Sequence, residues 1–144
     1  MKTTLKSIGF LVLLTIIVVG ACKKEENTVT PAPIINLFTD NSTYIPLDDI
    51  VFTIQNESQN SIKYASCENG SSFDFEIEKR EGGEWVSYGS NICPDFSWIE
   101  IPANSFQVDS LSADMLDKGD YRIKMQLIIE SNNTLQYSNI FNIK

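Results

Sequence analysis

The chain has 144 residues, a formal net charge of −8 and a sequence pI near 4.4. So acidic a surface repels nucleic acid and anionic lipid headgroups, which argues against DNA or RNA binding and against flat adhesion to a membrane. There is no histidine, so Ser-His-Asp, Cys-His and His-ligated zinc chemistry are excluded.

Lys2 and Lys6 precede an apolar run of twelve residues, Ile8 to Val19, interrupted by Gly9 and Thr15. About 20 apolar residues are needed to cross a bilayer, so the run is too short for a stable transmembrane helix and suits a cleaved signal. Val19-Gly20-Ala21-Cys22 follows and resembles the lipobox of bacterial lipoproteins. The resemblance implies removal of residues 1–21, acylation of Cys22 with diacylglycerol and palmitate, and a lipid-anchored protein of the bacterial outer membrane. Each buried methylene contributes about 0.8 kcal/mol and one chain holds only marginally, so two or three chains are needed for a stable anchor. Lys23-Lys24-Glu25-Glu26 cannot enter the bilayer, and residues 22–33 read as a flexible tether of low hydrophobicity. In Bacteroidota, charged residues just after the lipidated cysteine resemble a surface-export signal; a periplasmic orientation is the alternative. Removing 21 of 144 residues leaves 123, one domain's worth, and nine basic against nineteen acidic residues leave a net charge of −10.

From residue 34 to residue 144 no useful helical period occurs, and strand signals are dense. Ile50, Phe52 and Ile54 alternate with Val51, Thr53 and Gln55. After the polar turn Asn56–Asn60, Ile62 and Tyr64 resume the alternation up to Cys67. Glu68 to Ser72 reads as a turn built on Asn69-Gly70. Phe73, Phe75 and Ile77 are expected to face inward while Asp74, Glu76 and Glu78 face out. Glu81-Gly82-Gly83-Glu84 reads as a hairpin turn, Trp85–Tyr88 as the return strand, and Gly89–Asp95 as a loop. Short strands are expected at Ser97–Ile101 and Phe106–Leu111. Tyr121, Ile123, Met125 and Leu127 alternate with Arg122, Lys124 and Gln126; Glu130–Thr134 is a turn, and Leu135–Ile143 closes the chain with Phe141 and Ile143 on one face. Eight or nine closely spaced strands without crossover helices predict an all-β, antiparallel sandwich, with a small closed barrel as the alternative.

Cys67 and Cys93 remain once Cys22 is assigned to lipid. In an exported domain they are expected to form a disulfide closing a loop of about 26 residues, worth roughly 3.5 kcal/mol.

The order Asp49–Ser58 (a strand ending Asn-x-Ser), Ile62–Cys67, Phe75–Tyr88, Ala103-Asn104-Ser105 and Lys118–Ile123 resembles bacterial immunoglobulin-like domains. It is also similar to the intracellular-proteinase-inhibitor-like β-sandwich domains. Gly119-Asp120-Tyr121 resembles the tyrosine corner, which implies that the Tyr121 hydroxyl returns to an upstream backbone group. The cysteines depart from the antibody pattern: they flank a hairpin, so the bridge is expected to staple a loop rather than pin two sheets.

The acidic clusters are weak metal candidates. Asp48-Asp49 with Asp40 could contribute to a calcium site, which needs six to eight oxygens, but two adjacent acids at a strand start are more often solvated turn residues, and Asp114, Asp117 and Asp120 do not follow a calcium-loop pattern. Asp74, Glu76 and Glu78 suit cross-strand charge pairing better than glycoside hydrolysis, which needs a cleft and an elevated pKa. Asp109-Ser110-Leu111 matches a three-residue O-glycosylation motif. Of the aromatic cluster Trp85, Tyr88, Phe96 and Trp98, Trp85 is expected in the core, and Phe96 and Trp98 are the candidates for an exposed binding patch. The expectation is a non-catalytic interaction or structural module, without cofactor or metal, contacting an envelope protein or a glycan. The alternatives are a proteinase inhibitor acting through Cys93-Pro94-Asp95, or a glycan-binding surface module.

Overall fold

The computed structural model describes residues 33–67 and 72–144. The signal segment, Cys22, the tether up to Ala32 and most of the Glu68–Ser72 turn lie outside the described residues. Every described element belongs to the unit Ala32–Lys144. Period-2 alternation becomes twelve strands: β1 (Ile35–Thr39), β2 (Thr43–Tyr44), β3 (Asp49–Asn56), β4 (Ile62–Cys67), β5 (Ser72–Phe73), β6 (Phe75–Glu81), β7 (Glu84–Asn91), β8 (Ser97–Ile101), β9 (Ser105–Ser112), β10 (Gly119–Ile129), β11 (Asn132–Tyr137) and β12 (Phe141–Ile143). A 3-10 turn, Ala113–Met115, interrupts them.

The strands form two sheets. The smaller has the order β1-β3-β9 and is antiparallel throughout. The larger runs β2-β12-β10-β4-β5, with β11 and β6 also on β10, β7 on β6 and β8 on β4. Among the described residues its one parallel ladder is β12 with β2. The fold is all-β and sandwich-like. The core lies between the sheets: Ile50, Phe52 and Ile54 of β3 are fully buried and meet Tyr64, Phe75, Ile123 and Leu127 of the larger sheet. Phe52 makes edge-to-face contacts with Phe73 and Phe75 at 5.5 and 5.1 Å, joining the two layers.

The turns follow from backbone chemistry. Gly82 and Gly83 have φ of +58° and +96°, the left-handed pair that a tight two-residue hairpin requires. Glu130 and Ser131 adopt the same sign (φ +49° and +69°) between β10 and β11 without glycine. Leu47 sits at φ +80° and is 85% exposed, in a turn closed by a bond from Asp48 N–H to the Ile45 carbonyl (3.1 Å).

Asn56, the first residue of the Asn-x-Ser landmark, is completely buried at the end of β3. Its amide nitrogen donates to the carbonyls of Asn60 (2.9 Å), Ile101 (3.1 Å) and Pro102 (3.0 Å). Its oxygen accepts from the Ser58 N–H (3.1 Å) and hydroxyl (2.6 Å). One side chain thus ties the β3–β4 turn to the β8–β9 connection.

Two expectations are corrected. Trp85 is outside the core: it is half-buried on the outer face of the larger sheet, 4.5 Å from the Arg122 guanidinium. Glu78 does not face open solvent. A register shift between Ile77 and Glu78 interrupts the β6–β7 ladder, and Glu78 is only 8% exposed. It accepts from Arg122 Nε at 2.6 Å.

Candidate functional site

The larger sheet forks. One edge of β10 pairs with β6 at Tyr121–Lys124, and with β4 at Leu127 and Ile128. Met125 and Gln126 fall in neither ladder. From that point β4 carries β5 and β8 along one arm, and β6 carries β7 along the other. Between the arms lies a cleft of about 310 Å³.

Phe96 and Trp98 form one wall. Phe96 immediately precedes β8 and Trp98 lies in it, registered beside Ala65 of β4. They are 47% and 37% exposed, with ring centroids 5.5 Å apart and planes at 87°. Ile92, which is 70% exposed, extends this wall. Asp74, whose N–H donates to the Ala65 carbonyl (2.9 Å), and Glu76 also line the cleft, and β10 contributes Lys124 and Gln126. The alternation rule explains the last pair: Ile123, Met125 and Leu127 point into the core, so Lys124 and Gln126 point out.

The two carboxylates differ. Glu76 is ion-paired with Lys124 and bonded to Ser87, and these contacts lower its pKa. Lys124 is in turn held up in pKa by Glu76, and it also reaches Glu78 at 3.4 Å. Asp74 is pushed up by desolvation, which outweighs the hydrogen bond it receives from the Cys93 N–H. Among the described residues no cation lies within 4 Å of the Asp74 carboxylate.

The disulfide joins Cys67, at the end of β4, to Cys93, in the loop between β7 and β8, with Cα atoms 5.4 Å apart. Cys93 lies in the connection from β7 of one arm to β8 of the other, so the bond staples that connection to β4 rather than pinning the two sheets together. Asn91 reinforces it by donating to the Phe73 carbonyl (2.8 Å) and the Ser72 hydroxyl (2.7 Å). Cys93 is buried, while Pro94, Asp95 and Phe96 are exposed.

The remaining sequence candidates are used locally. Tyr121 is fully buried, and its hydroxyl donates to the Asp117 carbonyl at 2.8 Å. Gly119 has φ +149°, and a Cβ there would come within 2.9 Å of Lys79. Asp40 accepts from the Tyr44 hydroxyl (2.5 Å), and Asp48 caps the Ile45 N–H (2.9 Å). Asp109 accepts from the Phe73 N–H (2.7 Å), bridging the two sheets, while Ser110 is exposed. Asp120 accepts from Asn142 (2.9 Å), and Asp117 stands 4.0 Å from Lys79. A second concavity, about 500 Å³ between β7 and β9, is lined by Tyr88, Leu111 and Met115, with no charged side chain among its described lining residues.

Asp74, Ile92 and Gln126 are the site residues that sequence reasoning missed as partners of Phe96 and Trp98. Alternation signals Gln126 as outward-facing, but nothing local signals the fork.

No family model matches the chain, and no curated protein matches it in sequence. Among solved structures it is similar to the sporulation control protein Spo0M of Bacillus subtilis, with TM-score 0.46 and 8% identity over 78% of this chain and 49% of that one. It is also similar to the CARDB domain of a Pyrococcus furiosus protein solved with di-metal ions, with TM-score 0.41 and 11% identity over 78% and 89%. The Pseudomonas fluorescens alkylpurine DNA glycosylase AlkC gives TM-score 0.41 and 7% identity over 76% and 30%. The chain spans about half the length of Spo0M and under a third of AlkC. Likeness at this level carries no argument about activity.

Proposed function

We propose that this is a lipid-anchored envelope protein, acylated at Cys22, whose immunoglobulin-like sandwich serves as a non-catalytic binding module. The observation that carries the reading is the cleft at the fork: an exposed aromatic pair, a partly buried carboxylate and a disulfide that fixes the loop leading into the aromatic pair. Rigid exposed aromatics beside a few polar groups are what binding sites use for affinity and orientation. Glu76 is committed to Lys124 and Ser87, which leaves Asp74 without a second free carboxylate for acid–base work. The lipobox and the charged tether support placement at the outer membrane, on either face.

Two measurements test this. Intact mass of the protein from its producing cells should show a start at Cys22 carrying acyl chains; an unprocessed, unacylated chain contradicts the anchor. A glycan array probed with the mature domain tests one ligand class: a signal that Phe96→Ala/Trp98→Ala abolishes assigns the cleft to glycans. A signal indifferent to that double variant contradicts the cleft, and no signal removes glycans as its ligand. The exposed Pro94-Asp95 segment beside the buried Cys93 favours a proteinase inhibitor as the second reading. Absence of inhibition across protease classes excludes it.

A further inference from the structure

We infer that the Phe96–Trp98 cleft binds an organic ammonium group, held in the corner between the two rings and neutralised by Asp74. The inference rests on the reading of this cleft as a binding site and names the chemistry of its ligand. Three features of the site lead to it.

The first is charge. Among the described residues Lys124 is the one cation in the cleft lining, and Glu76 and Glu78 both engage it. Asp74, which accepts from the Cys93 N–H, is therefore left without a cationic partner among the described residues. A buried or half-buried carboxylate without a counter-ion is costly, and a bound cation removes that cost. The chain's net charge of −8 draws cations toward the surface from a distance.

The second is ring geometry. A flat sugar ring stacks on an open aromatic platform. Phe96 and Trp98 instead stand at 87° with centroids 5.5 Å apart. Perpendicular rings form a corner, which suits a compact, roughly spherical group such as a trimethylammonium or a lysine ammonium. Aromatic faces attract such cations through the ring quadrupole.

The third is precedent within the same sheet. On its outer face, Arg122 already lies between Trp85 and Tyr137, 4.5 and 4.1 Å from their centroids, with Glu78 as its carboxylate partner. The fork repeats the components of that arrangement, aromatic rings and a carboxylate, but its described residues supply no cation to Asp74. Desolvation raises the Asp74 pKa, and a bound cation would lower it again.

Choline and its neutral isostere 3,3-dimethylbutan-1-ol have nearly the same shape and differ in charge, so they separate cation recognition from apolar filling. The test titrates each into the mature domain carrying Trp85→Phe, which leaves Trp98 as the only tryptophan. Trp98 fluorescence and ligand-proton NMR are followed together. Choline should bind saturably and about 5- to 30-fold more tightly than the isostere. Asp74→Asn should bring choline down to the isostere's level, and Phe96→Ala/Trp98→Ala should abolish both. N-acetyl-lysine methylamide in a parallel titration distinguishes the source: preference for it over choline assigns a lysine side chain, and the reverse assigns a quaternary headgroup. Equal binding of choline and the isostere, or binding of a neutral oligosaccharide without choline, overturns the ammonium and leaves the binding cleft standing. Choline binding that survives Phe96→Ala/Trp98→Ala overturns both, and absence of saturable binding of both choline and N-acetyl-lysine methylamide overturns the inference.

Discussion

The Arg122 guanidinium lies 4.5 Å from the centre of the Trp85 ring, and this contact places Trp85 on the outer face of the larger sheet. Arg122 also touches the Tyr137 ring and bonds Glu78 through Nε and Nη2, both at 2.6 Å. Arg122→Ala removes all of these and leaves Glu78 buried without its main partner. Loss of one member of a largely buried pair is strongly destabilising, and partial exposure of Arg122 reduces the penalty here to about 2–3 kcal/mol. Urea denaturation should show this loss, and Glu78→Ala/Arg122→Ala together should lose less than the sum of the two single variants.

Tyr121→Phe removes the hydroxyl bond to the Asp117 carbonyl and should lower stability by about 1 kcal/mol. The same residue sets an alkaline limit. Burial, with Tyr88 nearby, holds its pKa well above the ordinary tyrosine value in the folded chain. The unfolded chain therefore loses this proton first. Stability is unaffected by Tyr121 below pH about 10 and falls as pH rises above it. Tyr44 and Tyr64 are raised as well and add to the fall. A urea midpoint followed from pH about 8 to about 11 should decline, and Tyr121→Phe should flatten the decline.

Much of the fold was legible because strand alternation is a direct record of burial. Phe73/Phe75/Ile77 and Tyr121/Ile123/Met125/Leu127 point inward as their spacing requires, and Gly82-Gly83 marks its hairpin. β1 was harder, because Ile35, Leu37 and Thr39 supply only two apolar inward positions. Trp85 and Glu78 were misplaced for a shared reason. The register shift between Ile77 and Glu78 and the cation on the neighbouring strand β10 are tertiary facts, invisible to a period-2 count. The candidate site was half legible. Phe96 and Trp98 stood out as aromatics beside Pro94, but Asp74 and Gln126 reach them only because β10 changes partner at Met125–Gln126.

Removing the disulfide with Cys67→Ser/Cys93→Ser should lower stability by up to roughly 3.5 kcal/mol, the loop-entropy value for a separation of 26 residues. Since the bond fixes the β7–β8 connection that carries Ile92 and Phe96, choline binding should weaken under reducing conditions more than global unfolding explains. Mass spectrometry without reductant should find no alkylatable thiol at Cys67 or Cys93.

Leu47→Gly tests the strained turn. The left-handed region disfavours a bulky side chain by about 1–2 kcal/mol, and glycine gives back about 0.5–1 kcal/mol through its freer unfolded state. Leu47 is 85% exposed, so little packing is lost. The melting temperature should stay level or rise by a few degrees, and a drop would show that the Leu47 side chain makes contacts the fold needs.

The central claim is that the fork cleft is where this protein meets its ligand. A photo-crosslinking amino acid at position 96, introduced in producing cells, tests it most directly against the same residue at Glu84 on the far hairpin. The expected result is a discrete adduct at position 96 that is absent at 84 and is suppressed by Asp74→Asn. No adduct at 96, or the same adducts at both positions, would contradict it.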